Sequence, residues 1–295
     1  MRRRGFLGLA AAIGVAALTE GCVTISPLAT TGDFPVDGSV SLPGSQTWTR
    51  MTQRNGGAGQ IVIGVKADQP GLGYFDPATN TYSGFDILIA QMIAAGLGFQ
   101  RSQIQFSTIA SQDRETALEN GTVDLVVASY SYETARAKLV YFAGPYFTTP
   151  EALLVRTDTT SITSVSAIAG RKACEVSNST TVAGLNVTPV VRNTYSECVA
   201  AVQAKQAEVI YSDYAVLLGY EHQNPNQLKV INTNQDTQYY GIGLPYNDTV
   251  LQQQIDKLLN AAIDNGTWRA IFNSTLAPEG LKADPPKVGQ WPASS

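Results

Sequence analysis

Two serines and an arginine stand directly beyond an apolar run. Leu125 to Ala128 is uniformly apolar, then come Ser129, Tyr130 and Ser131, with Arg136 seven residues after Ser129. Such a run reads as a buried parallel strand. Open α/β sheets bind ligands just past the carboxyl ends of their strands. A strand tip offering hydroxyls, free carbonyls and a guanidinium suits a small zwitterion, whose carboxylate calls for a planar two-pronged donor.

The same construction occurs twice. Thr116 to Ser129 reads as a helix end, an Asn120-Gly121 stop and a strand; Ala200 to Asp213 follows the same plan about eighty residues on. Glu208 falls where Asp124 stands, and Asp213 falls where Ser129 stands. Two α/β lobes would then each deliver one strand tip to a shared cleft, one bearing Arg136 and the other Asp213. Opposite charges on facing walls match the two ends of an α-amino acid. Taken singly, Arg136 also reads as a surface ion pair and Asp213 as a turn residue or helix cap.

These elements sit in a chain of 295 residues, 44% hydrophobic and 15% charged, with a net charge of −4 and a pI near 5.1. That length holds one large or two modest domains. The acidic balance argues against a nucleic-acid footprint, and past the N-terminus no run of eighteen apolar residues offers a membrane span. Residues 1–22 read as a signal peptide: Met1 to Leu7 is a basic n-region, Leu9 to Leu18 an apolar h-region. Arg3-Arg4-Gly5-Phe6-Leu7 resembles a twin-arginine export signal. Thr19-Glu20-Gly21-Cys22 resembles a lipobox, which makes Cys22 the candidate for lipidation and anchoring on the outer membrane surface. Cys174 and Cys198 remain as an even pair in an exported chain, either a disulfide, worth roughly 3 to 3.5 kcal/mol by loop closure, or two buried thiols. The only histidine is His222, and no Cys or His lies at metal-ligand spacing.

Residues 23–59, rich in Ser, Thr, Gly and Pro, read as a flexible tether. The folded region opens with the strand Ile61–Val65. A helix with Phe85, Leu88, Ile89, Met92 and Ile93 on one face ends at Gly96-Leu97-Gly98. Ser111 is positioned to cap the next helix. Phe142 to Thr149, with Gly144, Pro145 and Pro150, reads as a break before a strand at Ala152–Val155. The expected division is lobe one at 60–150 plus 241–277, lobe two at 151–240, and a loose tail at 278–295. Tyr239 to Leu244 would be the strand returning to lobe one, and Leu251, Ile255, Leu258, Leu259 and Ile263 an amphipathic helix closed by Asn265-Gly266.

With these residues laid out, the chain resembles the extracellular solute-binding proteins of polar amino-acid ABC transporters, the glutamine/glutamate-binding family, and among them the glutamate-binding lipoproteins of actinobacteria. The resemblance runs from about Ile61 to Leu276. Its carriers are Lys66 to Gly73, Gly84-Phe85-Asp86, Ala128 to Arg136, Gly144-Pro145-Tyr146, Tyr240 to Gly243 and Asn265-Gly266-Thr267-Trp268. It implies a two-lobed, type II periplasmic-binding-protein-like α/β fold with two hinge strands, closing on its ligand. It further implies a monomer without cofactor that serves membrane permease subunits. Carried across by position, Arg136 would grip the α-carboxylate, helped by Ser131 and the amides near Ser179 and Thr180. Asp213 would take the α-ammonium with the carbonyl of Ser129, Lys66 would pair with a side-chain carboxylate, and Tyr130, Gln69 and Tyr74 would frame the side chain. A cystine at Cys174/Cys198 matches the actinobacterial subgroup. Asn178 stands where the family usually has Gly.

Two other readings compete with a transport receptor. A sensor module docking on a membrane kinase would carry an identical cleft. An enzyme on the same scaffold, a dehydratase for a cyclic acid, would need a general acid or base, and Asp213, Glu133 and Glu175 are the candidates.

Overall fold

The computed structural model describes residues 31–179 and 184–292. Strand β1 (Ile61–Val65) runs parallel between β5 (Ile104–Thr108) and β6 (Leu125–Val126). On the far side β8 (Lys172–Val176) runs parallel between β9 (Thr188–Arg192) and β10 (Val209–Asp213). Between the two groups lie β7 (Tyr141–Arg156) and β11 (Leu228–Leu244), paired antiparallel. The full order is β5-β1-β6-β11-β7-β10-β8-β9, with a small second sheet of β2 (Asp68–Gln69), β3 (Gly73–Asp76) and β4 (Thr81–Ser83). At 16 and 17 residues, β7 and β11 are about three times the usual strand length. One half of each belongs to either side of the sheet. This is the expected two-lobed α/β fold, joined by two shared strands.

The duplicated units build their strands by the same device. The Asp124 amide donates to Val62 O and its carboxylate accepts from Val62 N; the Glu208 amide donates to Lys172 O and its carboxylate accepts from Lys172 N. Each acid thus ties the start of one strand to its parallel neighbour. Each unit then ends in a strand tip, at Ser129 and at Asp213.

Helices cover both faces. α2 (Phe85–Gly96) is buried almost all round, as a sequence apolar on every face but for Asp86 and Gln91 requires. α4 (Tyr195–Gln203) begins with a reciprocal capping box between Thr194 and Glu197, and the disulfide Cys174–Cys198 pins it to β8. α5 (Tyr214–Gln223) follows β10 directly. α6 (Thr249–Asp264) and α7 (Thr267–Thr275) close on the aromatic core of Phe85, Tyr146, Phe147, Trp268 and Phe272, where the Trp268 indole donates to Tyr146 O at 2.7 Å. Among the described residues no helix is long and apolar enough to cross a membrane.

Four sequence expectations change. The part of the tether inside the described residues is packed structure: α1 (Gln46–Gln53) buries Met51, and Arg50 and Arg54 both ion-pair with the fully buried Asp124. A buried carboxylate needs such partners, and they are supplied from about 70 residues upstream, beyond the reach of local periodicity. The tail beyond residue 278 is also seated, with Leu281 buried and Trp291 stacked on Tyr132. The expected break at 142–149 is uninterrupted strand. Pairing jumps from Tyr240–Phe147 to Ile242–Ala143, so Pro145 faces an irregularity in β11 and no ladder bond is lost. Finally, Asp113, not Ser111, is the N-cap of α3 (Arg114–Glu119), and the Ser111 hydroxyl is turned to Lys66.

Candidate ligand-binding site

The tip beyond β6 is held in an unusual backbone conformation. Ser129 has φ +42°, outside the range a side chain prefers. A buried carboxylate holds it there: Asp86, in the first turn of α2, accepts from the Ser129 amide at 2.8 Å and from the Tyr146 hydroxyl at 2.8 Å. Burial pushes Asp86 up to about 6, against the pull of those two donors. The Ser129 hydroxyl donates to Gln69 Oε1, which leaves Gln69 Nε2 buried without a partner among the described residues.

Arg136 follows in the short loop and is buried. Its fork donates to Ser131 O at 3.0 Å and, across the cleft, to Asn178 O at 2.8 Å. Its Nε lies 3.2 Å from Glu115 and 3.4 Å from Glu133. Asn178 has φ +58°, which accounts for the Gly usual there, since Asn tolerates this region better than most side chains. Beside Arg136 stands a second buried guanidinium, Arg114, held by Ser111 O at 2.9 Å. Both cations lie over the face of Tyr130, at 4.2 and 5.5 Å. Burial first, then the repulsion of Arg136, brings Arg114 down to about 10. Lys66 donates to Ser111 Oγ at 2.7 Å and Ile109 O at 3.1 Å; burial, then Arg114, brings it down to about 7.

Asp213 closes the opposite side. Its Oδ2 accepts from the Tyr240 hydroxyl at 2.5 Å, while Oδ1 is buried with no partner among the described residues. Burial pushes this acid up to about 6, opposed by Tyr240, Arg114 and Arg136. Ser111, Arg114, Ser129, Ser131, Arg136, Ser179, Tyr195 and Asp213 line one small cavity. Two guanidiniums face one carboxylate across this lining, while Glu115 and Glu133 pair with Arg136 from behind.

Residues 61–276 match the bacterial extracellular solute-binding proteins, family 3. The chain belongs to that family. A glutamate-binding protein GluB of Corynebacterium efficiens is 32% identical over 236 residues, covering 75% of this chain and 80% of that protein. A glutamine-binding protein of Geobacillus stearothermophilus is 29% identical over 243 residues, 80% of this chain and 90% of that one. Among solved structures, an ancestral arginine-binding protein bound to glutamine is 28% identical with a TM-score of 0.67, covering 73% of this chain and 97% of its own. The cysteine-binding protein of Campylobacter jejuni superposes with a TM-score of 0.74 at 22% identity, over 82% of this chain and 98% of that one, and speaks for the fold. The chain is thus a solute-binding protein, not an enzyme.

Within this family member the cavity brings Ser129, Ser131, Arg136, Ser179 and Asp213 together. Four other expected residues stand back from it. Tyr130 is fully buried beneath the arginines with its hydroxyl on Glu115, Gln69 sits behind Ser129, and Lys66 is one side chain removed, behind Ser111. Tyr74 lies in the small sheet opposite Asp68 and Ser83. Thr180 and Cys22 lie outside the described residues. Sequence reasoning missed Arg114, Ser111 and Tyr195 as lining residues. A signal existed for Arg114: four residues before the core Leu118, it falls on the inward face of its helix.

Proposed function

We propose that this chain is the capture subunit of an amino-acid ABC importer, and that its ligand is an acidic amino acid, glutamate before others. The carrying observation is the orphaned Asp213 Oδ1, buried in a cavity whose other charged walls are Arg114 and Arg136. A buried carboxylate oxygen with no donor is costly, and an α-ammonium would satisfy it. Arg136 would take the α-carboxylate in a two-pronged grip, exchanging its bond to Asn178 O. Arg114, with Lys66 behind Ser111, would take the second carboxylate. Two guanidiniums opposite one carboxylate suit a ligand with two carboxylates and one ammonium, and the relatives named for glutamate agree with that choice.

In this reading residues 60–150 with 241–277 form one lobe and 151–240 the other, closing about β7 and β11. Cys22 carries the lipid that holds a monomer on the outer membrane face beside its permease. Thermal unfolding against the twenty amino acids is the first test, because a ligand that binds only the native state raises Tm. Glutamate or aspartate should give the largest shift. Calorimetry should then show Arg136→Ala losing about 2 to 5 kcal/mol of binding, the cost of stranding one member of a buried pair. Undiminished affinity in that variant would reject the site.

A further inference from the structure

The segment beyond residue 276 lies outside the family match, yet it reaches the back of the binding loop. Arg269 ties its beginning, donating to Ala283 O at 2.6 Å and pairing with Asp284. The Gly289 amide then donates to Gly144 O on β7 at 2.6 Å. Trp291 stacks on Tyr132 with ring centres 4.6 Å apart and planes 19° from parallel, and it meets Phe142 edge-on at 6.1 Å.

Tyr132 is the residue after Ser131. Its amide donates to Tyr239 O at 2.8 Å, Ser131 bridges to Tyr240, and the Gly241 amide donates to Tyr130 O at 2.9 Å. The loop that carries Ser131 and Arg136 is therefore docked on β11 through residues 130–132, and Ser131 O in turn orients the Arg136 fork. Trp291 covers this junction from outside. A Cβ on Gly241 would lie 2.8 Å from the indole and 2.7 Å from Phe142, so that position has room for the tryptophan only as glycine.

We propose that Trp291 is a positioning residue for ligand binding: the C-terminal segment acts as a strap that presses Tyr132 onto β11 and so sets Ser131 and the Arg136 guanidinium. The rings the indole meets, Tyr132 and Phe142, do not line the cavity, so it acts through them rather than on the ligand. This rests on the assignment of Ser131 and Arg136 to the ligand carboxylate. The strap differs from general packing in its expected signature. Its loss loosens one loop at the cleft, while the aromatic core of Phe85, Trp268 and Phe272 is untouched.

The test uses the full chain, with glutamate as the probe. Trp291→Ala should weaken glutamate binding about tenfold, the scale of one lost aromatic stack, with Tm nearly unchanged. Trp291→Phe, which keeps a ring over Tyr132, should recover most of the affinity. In protein labelled with 5-fluorotryptophan, the resonance that disappears in Trp291→Phe should move on adding glutamate to the unsubstituted chain, although Trp291 lies outside the cavity. Arg136→Ala serves as the reference. If it abolishes binding while Trp291→Ala binds as tightly as the unsubstituted chain, or if the Trp291 resonance ignores glutamate, the strap is wrong and the site stands. If the unsubstituted chain responds to none of the twenty amino acids, the site assignment fails and takes the strap with it.

Discussion

At the scale of single residues, burial displaces Asp213, Lys66 and Arg114 from their ordinary ionisation, and that makes the pH behaviour of the site predictable. Asp213, raised to about 6 by burial, must be ionised to hold an ammonium. A bound ammonium favours the carboxylate, so binding lowers this pKa, and affinity is complete above about 6 and is lost as pH falls through it. On the alkaline side Lys66 titrates near 7. A second carboxylate nearby raises that value, so the contribution of Lys66 is present below about 7 and is lost as pH rises through it. Glutamate affinity measured by calorimetry should therefore peak between these limits, and Asp213→Asn should remove the larger part of the acidic limb, leaving that of Asp86, which holds Ser129. Glutamine, lacking the second carboxylate, should show no alkaline limb. Arg114→Gln tests the same assignment by charge: it should cost glutamate ten- to a hundredfold more than glutamine, in line with a buried charge pair that has lost one member. Equal losses for the two ligands would return Arg114 to a purely structural role.

At the scale of elements, the lobes meet away from the cavity as well as around it. Asp68, on β2, accepts from the Ser196 amide in the first turn of α4 at 3.0 Å, and the Tyr220 hydroxyl of α5 donates mainly to the Asp68 backbone carbonyl, with the carboxylate 3.2 Å away. A carboxylate at a helix N-terminus is favourably placed. In the proposed closing motion these bonds form only when the halves come together, so they would favour closure without touching ligand. Asp68→Ala should raise the apparent Kd for glutamate about tenfold by lowering the closed fraction, while the melting temperature without ligand changes little. These contacts also show what the sequence could and could not disclose. The repeated units were legible because each is local: an Asn-Gly or Lys-Gln turn, an acid, an apolar strand and a polar tip. Asp124 and Glu208 make the same backbone bonds in the fold. Arg136 and Asp213 were legible because each closes such a unit. Arg114 stood in the polar run Ser111 to Thr116, where nothing but its spacing from Leu118 marked it as inward. The packed segments 31–59 and 278–292 were illegible for a different reason. Their partners, Asp124, Asp248, Gly144 and Tyr132, lie far away in the chain, and Ser-, Gly- and Pro-rich composition resembles a tether until such partners are known.

For the whole molecule, the proposed capture depends on two halves approaching until backbone meets backbone. Gly219 on α5 marks a close approach of this kind: a Cβ there would lie 2.3 Å from Pro70 O, in the loop between β2 and β3. Real Cβ atoms do not come so close to a carbonyl, so a side chain at 219 acts as a wedge on the closing surface. It leaves Arg136, Asp213 and the two crossing strands unchanged. Gly219→Val should then hold the halves apart, and each consequence can be measured separately. Solution scattering should show a larger radius of gyration in the presence of glutamate than the unsubstituted protein shows. Glutamate affinity should fall more than tenfold, since a ligand held from the Arg136 side alone loses its contact with Asp213. Valine also disfavours helix, which lowers Tm somewhat, so Gly219→Ala is the more discriminating variant. Alanine improves helix propensity by about 1 kcal/mol over glycine while still adding the offending Cβ, so the ligand-free protein should melt no lower, yet bind glutamate more weakly. An alanine variant that binds as tightly as the unsubstituted chain, with an unchanged scattering profile, would mean that the contact between Pro70 and α5 is not part of the closing motion.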